Sequence, residues 1–387
     1  MASWLLPENI ADILPRQARS LEQISRLVTD MLGVHGFEPV MPPVVEYTDS
    51  LLTGSASDLV NNTFKFTDQA NGRMLGIRAD FTPQVARIDA HILGRPGVTR
   101  LCYKGFVVHQ RPMHPLASRL PYVVGAEMFG AAGEAADVQM MRLAAEALRL
   151  AEVPRIHFDI GHVGIVRALL ADETLGADEM NALLRALRLK DEVALRAASA
   201  TLSEETARAL RTLIETFGDL SSLDFLEAEL PKRPGIAEAI SEVRHLAATC
   251  GADEVSVDFC DVHGYRYLTG ITFAAYVEGL SQPVLRGGRY DDVGSAFGRA
   301  RPAVGFTLYL RELVTSGYHA LPSAVLAPAS DSESLQTVMR ELRSRGEIVV
   351  QLLPGEKAED LLNSFKLDRA IVRSGSQWVV QSADIRK

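Results

Sequence analysis

Cysteine and long apolar runs are scarce in this sequence. It has 3 cysteines in 387 residues, at Cys102, Cys250 and Cys260. Because no two of them form a CxxC pair, we expect buried free thiols rather than a disulfide framework or a metal site. No apolar run approaches the roughly 20 residues that a membrane helix needs. The first residues, MASWLLPENI, lack a basic segment followed by an apolar one, so the sequence predicts a cytoplasmic chain that does not enter a membrane.

Positive charge is also in short supply. The chain carries 40 Lys and Arg against 49 Asp and Glu, a formal net charge of -9 at pH 7. Nucleic-acid binding is driven largely by Lys and Arg side chains that neutralise phosphates, and the sequence has no polybasic run. We therefore expect no nucleic-acid partner.

Three common catalytic signatures are missing as well. The sequence contains no GxxxxGKS or GxxxxGKT segment, which would indicate a phosphate-binding P-loop. It also contains no HExxH segment of a zinc protease and no GxSxG segment of an α/β-hydrolase nucleophile. We accordingly expect neither a metal nor a cofactor.

The residues that are present follow an ordinary globular balance, with 47% hydrophobic and 23% charged. Apolar residues at helical spacing predict a helix over 16–32, which Gly33 is placed to end. From Thr63 to Met128, apolar runs are separated by Gly, Pro and Asn, which indicates a sheet.

The second half of the chain changes character twice. Consecutive helical patterns predict a helical insertion at about 165–250, and another helical stretch is expected near 303–315. After Pro322 short strand and helix patterns alternate, which predicts a small α/β domain. We therefore expect two domains, one over 1–317 that includes the insertion and one over 321–387.

The segment IRADFT contains the first candidate binding residues. If it is a strand, Arg78, Asp80 and Thr82 share one face because side chains alternate along a strand. A carboxylate two residues from a hydroxyl suits an α-ammonium group, which needs one charge partner and one neutral acceptor. The alternative interpretation is the solvated edge of a sheet.

Glu127 is the second candidate, because it interrupts the otherwise apolar strand pattern VVGAEMFG. A buried carboxylate must be paired or hydrogen-bonded. An imidazole N–H would satisfy it, and so would a structural arginine.

Polar aromatic residues form a third candidate group in HGYRYLTG and RGGRYDD. If the first segment is a strand, His263, Tyr265 and Tyr267 share a face. In the second segment Tyr290 follows a glycine pair that permits close approach of the backbone. A Gly-Gly turn is common, so these segments indicate a site only in combination with the others.

The order of these segments resembles that of a known family. LPENIADILP, GFEPVMPPVVEY, IRADFT, RLCYKGFVVHQRP through GAEMFG, HGYRYLTGITFAAYV, RGGRYDD and RPAVGFTLYLRELV are similar to successive motifs of the class II histidyl-tRNA synthetases and their paralogues, over about 1–317. This resemblance implies an α+β fold. Its core is class II synthetase-like, with a mixed, mainly antiparallel sheet flanked by helices, a helical insertion and a small C-terminal α/β domain.

Departures from the family pattern fall where the synthetases use arginine to hold ATP. Apolar Val107 and Val108 stand at the motif 2 arginine, His263 replaces the arginine of the first histidine-specific motif, and Glu312 replaces that of motif 3. Tyr309 would crowd an ATP site. Losing one preorganised cationic contact typically costs on the order of 100-fold in rate, so the resemblance implies no catalytic residues. Arg111, Arg119 and Arg311 could substitute only from positions outside the motifs.

The amino-acid pocket of the family is better preserved. By resemblance, Asp80 and Thr82 would hold an amino group, Glu127 would bind an imidazole, and Tyr267 and Tyr290 would surround the ring. The arginine that should hold the carboxylate is missing at His263. Its replacement remains open among Gln110, Arg111 and Arg119, of which we assign Gln110 and Arg111 to the histidine site.

Loss of ATP chemistry with retention of this pocket resembles the regulatory subunits of ATP phosphoribosyltransferase, the first enzyme of histidine biosynthesis. The resemblance implies a short-form catalytic subunit as partner and L-histidine as feedback inhibitor. It also implies a class II-type dimer within a hetero-octamer. The alternatives are an active histidyl-tRNA synthetase-like amino-acid ligase and a free-standing histidine-binding module.

Overall fold

A computed structural model describes residues 4–53, 57–315 and 321–383. The chain divides into two compact units, one formed by Met1–Asp12 with Leu21–Gly317 and the other by Ile13–Ser20 with Tyr318–Lys387. Within the described residues, none of the helices combines the length and hydrophobicity needed to cross a bilayer. The cysteines Cys102, Cys250 and Cys260 are buried and free, as the sequence predicts.

Strands of the first unit build two sheets. In chain order they are β1 (Glu38–Pro39), β2 (Val45–Tyr47), β3 (Phe64–Thr67), β4 (Met74–Ile77), β5 (Thr99–Phe106), β6 (Tyr122–Phe129), β7 (His157–His162), β8 (Glu254–Val257), β9 (Ile271–Tyr276), β10 (Leu285–Arg289) and β11 (Ala303–Tyr309).

The larger sheet has eight strands in the order β1-β5-β6-β11-β10-β9-β7-β8, and the smaller has the order β2-β4-β3. In the larger sheet, β1 with β5 and β7 with β8 pair in parallel, whereas the other neighbours are antiparallel. This mixed, mainly antiparallel sheet confirms the predicted fold class. Its strand β6 is buried from Val123 to Phe129 because β5 and β11 cover both of its edges.

Helices flank the sheet and fill one long connection. They are α1 (Pro15–Val34), α2 (Thr48–Leu51), α3 (Ser57–Asn62), α4 (Thr82–Arg87), α5 (Glu134–Leu150), α6 (Val163–Leu170), α7 (Ala177–Leu189), α8 (Glu192–Ala198), α9 (Glu204–Glu215), α10 (Ser222–Glu229), α11 (Ile236–Thr249) and α12 (Leu310–Thr315). A π-helical turn, Ile88–Leu93, extends α4. Helix α1 confirms the helix predicted over 16–32. Helices α6 to α11 lie between β7 and β8, in the segment for which the sequence predicts a helical insertion.

The second unit contains a four-stranded sheet in the order β13-β12-β14-β15. Its elements are β12 (Ser323–Ala327), α13 (Glu333–Ser344), β13 (Val349–Gln351), β14 (Lys366–Ser374) and β15 (Gln377–Ser382). Apolar residues of α13, such as Leu335 and Met339, pack against Val325 and Ile371 of the sheet. This small α/β unit agrees with the pattern after Pro322.

Three local predictions are wrong. IRADFT is not a strand, because β4 ends at Ile77 and Thr82 begins α4, where Pro83 favours a first helical turn. The segment 263–267 forms turns rather than a strand, since Gly264 takes a positive φ of 74° and its carbonyl accepts the amide of Leu268. The stretch near 303–315 is helical only in its last part. It begins as β11, and a short apolar run does not by itself distinguish strand from helix.

Candidate functional site

Glu127 lies at the centre of the larger sheet. It belongs to β6, and its residue is only 1% exposed. The register of β6 and β11 places it opposite Gly305. A side chain at Gly305 would collide with the Glu127 carboxylate, so this glycine leaves the space that the carboxylate occupies.

Three hydroxyl groups donate to this carboxylate. Thr82 Oγ1 donates to Oε1 at 2.8 Å and the Tyr103 hydroxyl donates to the same oxygen at 3.1 Å. The Tyr290 hydroxyl donates to Oε2. Burial raises the pKa of Glu127 to about 8, although the hydrogen bonds from Tyr290 and Thr82 act in the opposite direction. A cationic ligand group, or one that donates a hydrogen bond, would favour the ionised form.

Asp80 is the second carboxylate of the site. It lies in the loop between β4 and α4, and the backbone amide of Thr82 donates to its Oδ1 at 3.3 Å. Burial raises the pKa of Asp80, and the negative charge of Asp80 in turn helps to raise that of Glu127. Two buried carboxylates with raised pKa values form a site suited to a positively charged ligand.

Asp80 and Glu127 share the wall of one cavity of about 110 Å³. Its lining includes Thr82, Tyr267 and Tyr290, so the structure brings together five of the seven residues assigned to the site by sequence. The loop conformation of the IRADFT segment still directs Asp80 and Thr82 to the cavity, even though the predicted strand is absent.

Gln110 and Arg111 do not line this cavity. Both residues are exposed. The backbone amide of Gln110 donates to the main-chain oxygen of Asn62 at 2.9 Å, and that of Arg111 donates to Asn62 Oδ1 at 3.1 Å. Arg78 also points elsewhere, since its guanidinium donates to the carbonyls of Phe106 and Pro42 at 2.9 Å.

Arg286 is a cavity residue that the sequence interpretation missed. It lines the cavity from β10, and its Nη1 donates to Asp261 Oδ2 at 2.8 Å. Its Nε is buried and has no hydrogen-bond partner among the described residues. The signal was its position at the start of RGGRYDD, a segment that resembles a family motif.

Three further acids also lie on the cavity wall. They are Asp159 of β7 and Asp258 and Asp261, which follow β8. Lys190 pairs with Asp258 at 2.6 Å, and Arg286 pairs with Asp261. Burial raises the pKa of Asp159 to about 6. Within the described part of the chain, no group of three or more His, Cys, Asp or Glu side chains is arranged to hold a metal ion.

A larger cavity of about 570 Å³ adjoins the first, and Asp80, His263 and Arg286 contribute to both. Val107, one of the two residues near which the family resemblance places the motif 2 arginine, lines the larger cavity, and Tyr309 lines both. The side chains at these motif positions therefore provide no positive charge for a triphosphate.

The arginines that could have substituted are engaged at other places. Arg119 donates to the carbonyl of His109 at 3.1 Å, and Arg311 donates to the carbonyls of Leu120 and Ala11 at 3.0 and 3.1 Å. Neither they nor Arg111 line a cavity described above.

Family models match nearly the whole chain. A model described as histidyl-tRNA synthetase matches residues 9–313, and one described as the C-terminal domain of ATP phosphoribosyltransferase subunit HisZ matches residues 322–381. Proteins named ATP phosphoribosyltransferase regulatory subunit, from Burkholderia multivorans and Burkholderia vietnamiensis, are each 47% identical over 382 residues. Each alignment covers 98% of this chain and 100% of the relative.

Solved structures are similar over comparable lengths. One described as an ATP phosphoribosyltransferase regulatory subunit/histidyl-tRNA synthetase from Bacillus halodurans has a TM-score of 0.80 and 26% identity, covering 95% of this chain and 97% of that chain. A histidyl-tRNA synthetase from Nostoc sp. PCC 7120 has a TM-score of 0.76 at 15% identity, covering 96% and 92%. The second similarity concerns the fold alone.

Proposed function

The chain belongs to the family of ATP phosphoribosyltransferase regulatory subunits, and from this premise we propose how it regulates its partner. As a member of that family it is a non-catalytic subunit that serves histidine biosynthesis. The catalytic partner condenses ATP with phosphoribosyl pyrophosphate. The observation that carries this function is the similarity to regulatory subunits over both units of the chain.

The site supports a role without adenylation. By the family resemblance, apolar Val107 and Val108, His263 and Glu312 replace arginines of the synthetases. Tyr309 lines both cavities. Electrostatic stabilisation of a developing charge is usually the largest catalytic contribution, and its loss disfavours the alternative of an active amino-acid ligase. The family assignment also disfavours a free-standing histidine-binding module.

The effector that we propose for the smaller cavity is L-histidine. Asp80 would pair with the α-ammonium group, and Glu127 would accept a hydrogen bond from the imidazole. Tyr267 and Tyr290 would contact the ring. These groups support the proposal because two buried carboxylates with raised pKa values gain most from a ligand that brings donors and positive charge.

Arg286 is the group that we propose for the carboxylate of the effector. It replaces Gln110 and Arg111 in that role, because those residues are exposed and outside the cavity. The buried Nε of Arg286 lacks a partner among the described residues, and an unsatisfied buried donor favours an incoming acceptor. A carboxylate bound there would satisfy it.

The assembly that we propose is a class II-type dimer of this chain within a hetero-octamer that contains the short-form catalytic subunit. Assembly would stabilise the competent conformation of the catalytic subunit. Histidine would prefer the less active quaternary state, and a coupling of about 1–3 kcal/mol is typical of such effects. We also propose a cytoplasmic location.

Reconstitution with the short-form catalytic subunit tests this function. Phosphoribosyl transfer is measured with the catalytic subunit alone, with the chain added, and with the chain and histidine together. We expect activation in the second mixture and inhibition in the third. Histidine-dependent ATP–pyrophosphate exchange by the isolated chain, without an effect on the catalytic subunit, would favour the ligase instead.

A further inference from the structure

The larger cavity has the size and construction of a ligand site. Its volume of about 570 Å³ lies within the range of roughly 300–1,000 Å³ that is usual for small-molecule sites. One wall comes from the core, at Asn62 and Val107, and another from helix α7 of the insertion, at Leu184 and Arg185. A ligand in this cavity would therefore contact both the core and the insertion.

Helix α7 presents two different faces. Its buried residues are Leu183, Ala186 and Leu187. Its cavity-lining residues are Asn181, Leu184, Arg185 and Arg188. The spacing i, i+3, i+4, i+7 places the second group on one face of the helix. The cavity face of α7 thus carries two arginines next to an apolar side chain.

The cavity is cationic although the whole chain is acidic. Its lining includes four arginines, Arg185, Arg188, Arg266 and Arg286. Among the described residues that line it, Asp80 is the single carboxylic acid. The whole sequence has a formal net charge of -9. A general excess of basic residues therefore does not explain this concentration of arginine.

Two of these arginines are held in place by neighbours. Arg266 donates to Asn181 Oδ1 on α7, and Arg286 pairs with Asp261 at 2.8 Å. Arg185 and Arg188 form no ion pair within residues 4–53, 57–315 and 321–383. These two guanidinium groups are thus available to an anion in the cavity.

We propose that the larger cavity is a binding site for a small phosphate-bearing molecule, whose phosphate is held by Arg185 and Arg188. Guanidinium groups match the geometry of phosphate oxygens and bind them through paired hydrogen bonds. The apolar and aromatic side chains of Leu59, Leu184 and Tyr265 provide a surface for the rest of the molecule.

The cations of this site come from the insertion, at Arg185 and Arg188, and from two of the family's motif segments, at Arg266 and Arg286. None of them stands at a position where the family resemblance places an ATP-binding arginine. Its occupation requires no adenylation. It leaves Glu127 to the amino-acid effector, whereas Asp80 lines both cavities. A ligand that bridges α7 and the core would stabilise the folded chain by an amount that rises with the logarithm of its concentration above the dissociation constant.

Isothermal titration of the full-length chain with inorganic pyrophosphate tests the site. The variants are Arg185→Ala/Arg188→Ala and the control Arg208→Ala, which removes an exposed arginine from α9 outside the cavity. All three proteins are first compared by thermal unfolding. A second titration with ribose 5-phosphate distinguishes a sugar phosphate from a polyphosphate as the preferred class.

We expect the double variant to bind the preferred probe at least about tenfold more weakly, since hydrogen bonds to charged groups are lost, and Arg208→Ala to bind like the wild type. Equal affinity in the double variant and the wild type would overturn the proposal. So would the failure of the wild-type chain to bind either probe at millimolar concentration. Histidine inhibition in the reconstituted complex is a separate readout, so a negative result here leaves the regulatory function standing.

Discussion

Gly305 faces Glu127 across the pairing of β11 with β6, and the absence of a side chain there gives the buried carboxylate its space. A Cβ atom at Gly305 would also lie 2.8 Å from the carbonyl oxygen of Ala126. The backbone of a central strand cannot move away easily, because both of its neighbours are hydrogen-bonded to it. The shape of the candidate site is therefore set by the sheet as well as by its polar side chains.

Gly305→Ala should displace the Glu127 carboxylate and weaken histidine inhibition of the reconstituted complex. We also expect a loss of about 1–3 kcal/mol in the free energy of unfolding, because the added methyl group overpacks the core. Gly97→Ala is the matched control, since nothing lies within 4 Å of a Cβ atom at that position. Urea unfolding and a histidine titration of each variant measure the two effects. Unchanged inhibition in Gly305→Ala would contradict the assigned role of Glu127.

Glu127 should make the stability of the chain dependent on pH. Its pKa is raised by burial from the ordinary value of 4.5 to about 8, so the folded chain binds this proton more tightly than the unfolded chain. The free energy of unfolding therefore decreases as pH rises from about 4.5 to about 8, because the unfolded chain loses this proton first. Above about pH 8 the loss of stability from Glu127 is complete.

Glu127→Gln removes this ionisation. The unfolding midpoint of the variant should fall less than that of the wild type between pH 5 and pH 9, with a difference in the free energy of unfolding on the order of a few kcal/mol at most. Glu204→Gln, at an exposed position of α9, controls for the change in net charge. Parallel pH profiles of wild type and Glu127→Gln would show that this carboxyl does not titrate as described.

Arg286 should determine whether the site recognises a carboxylate. Histamine lacks the carboxylate of histidine, so the wild-type complex should bind histidine at least about tenfold more tightly than histamine. In Arg286→Met this preference should disappear, because the remaining contacts are common to both ligands. Arg208→Met is the control. If Arg286→Met retains the full preference, another group holds the carboxylate.

The order of motifs allowed much of the site to be predicted from sequence. Asp80 and Thr82 reach Glu127 of β6 from the loop and helix start that follow β4, a strand of the smaller sheet. Motif order reveals this convergence of segments distant in sequence even where the local structure is misassigned. IRADFT illustrates this, since its residues reach the cavity from a loop and a helix start.

The group that we propose for the effector carboxylate could not be predicted in the same way. Gln110 and Arg111 are close in sequence to motif 2, but their backbone amides bind Asn62, and the residues are exposed. Arg286 reaches the cavity because of its position on β10 and its ion pair with Asp261. The RGGRYDD segment marks the position of Arg286 along the chain, but the direction of its side chain toward the cavity depends on tertiary packing. The arginines that α7 contributes to the larger cavity escaped prediction for the same reason.

Histidine titration of the reconstituted complex, with wild-type chain and with Asp80→Asn, tests the central claim most directly. Asp80→Asn removes the charge that we propose to pair with the α-ammonium group and keeps the shape of the side chain. We expect both complexes to be activated equally in phosphoribosyl transfer, and the variant to require at least about tenfold more histidine for inhibition. If Asp80→Asn is activated and inhibited like the wild type, histidine does not act through this cavity.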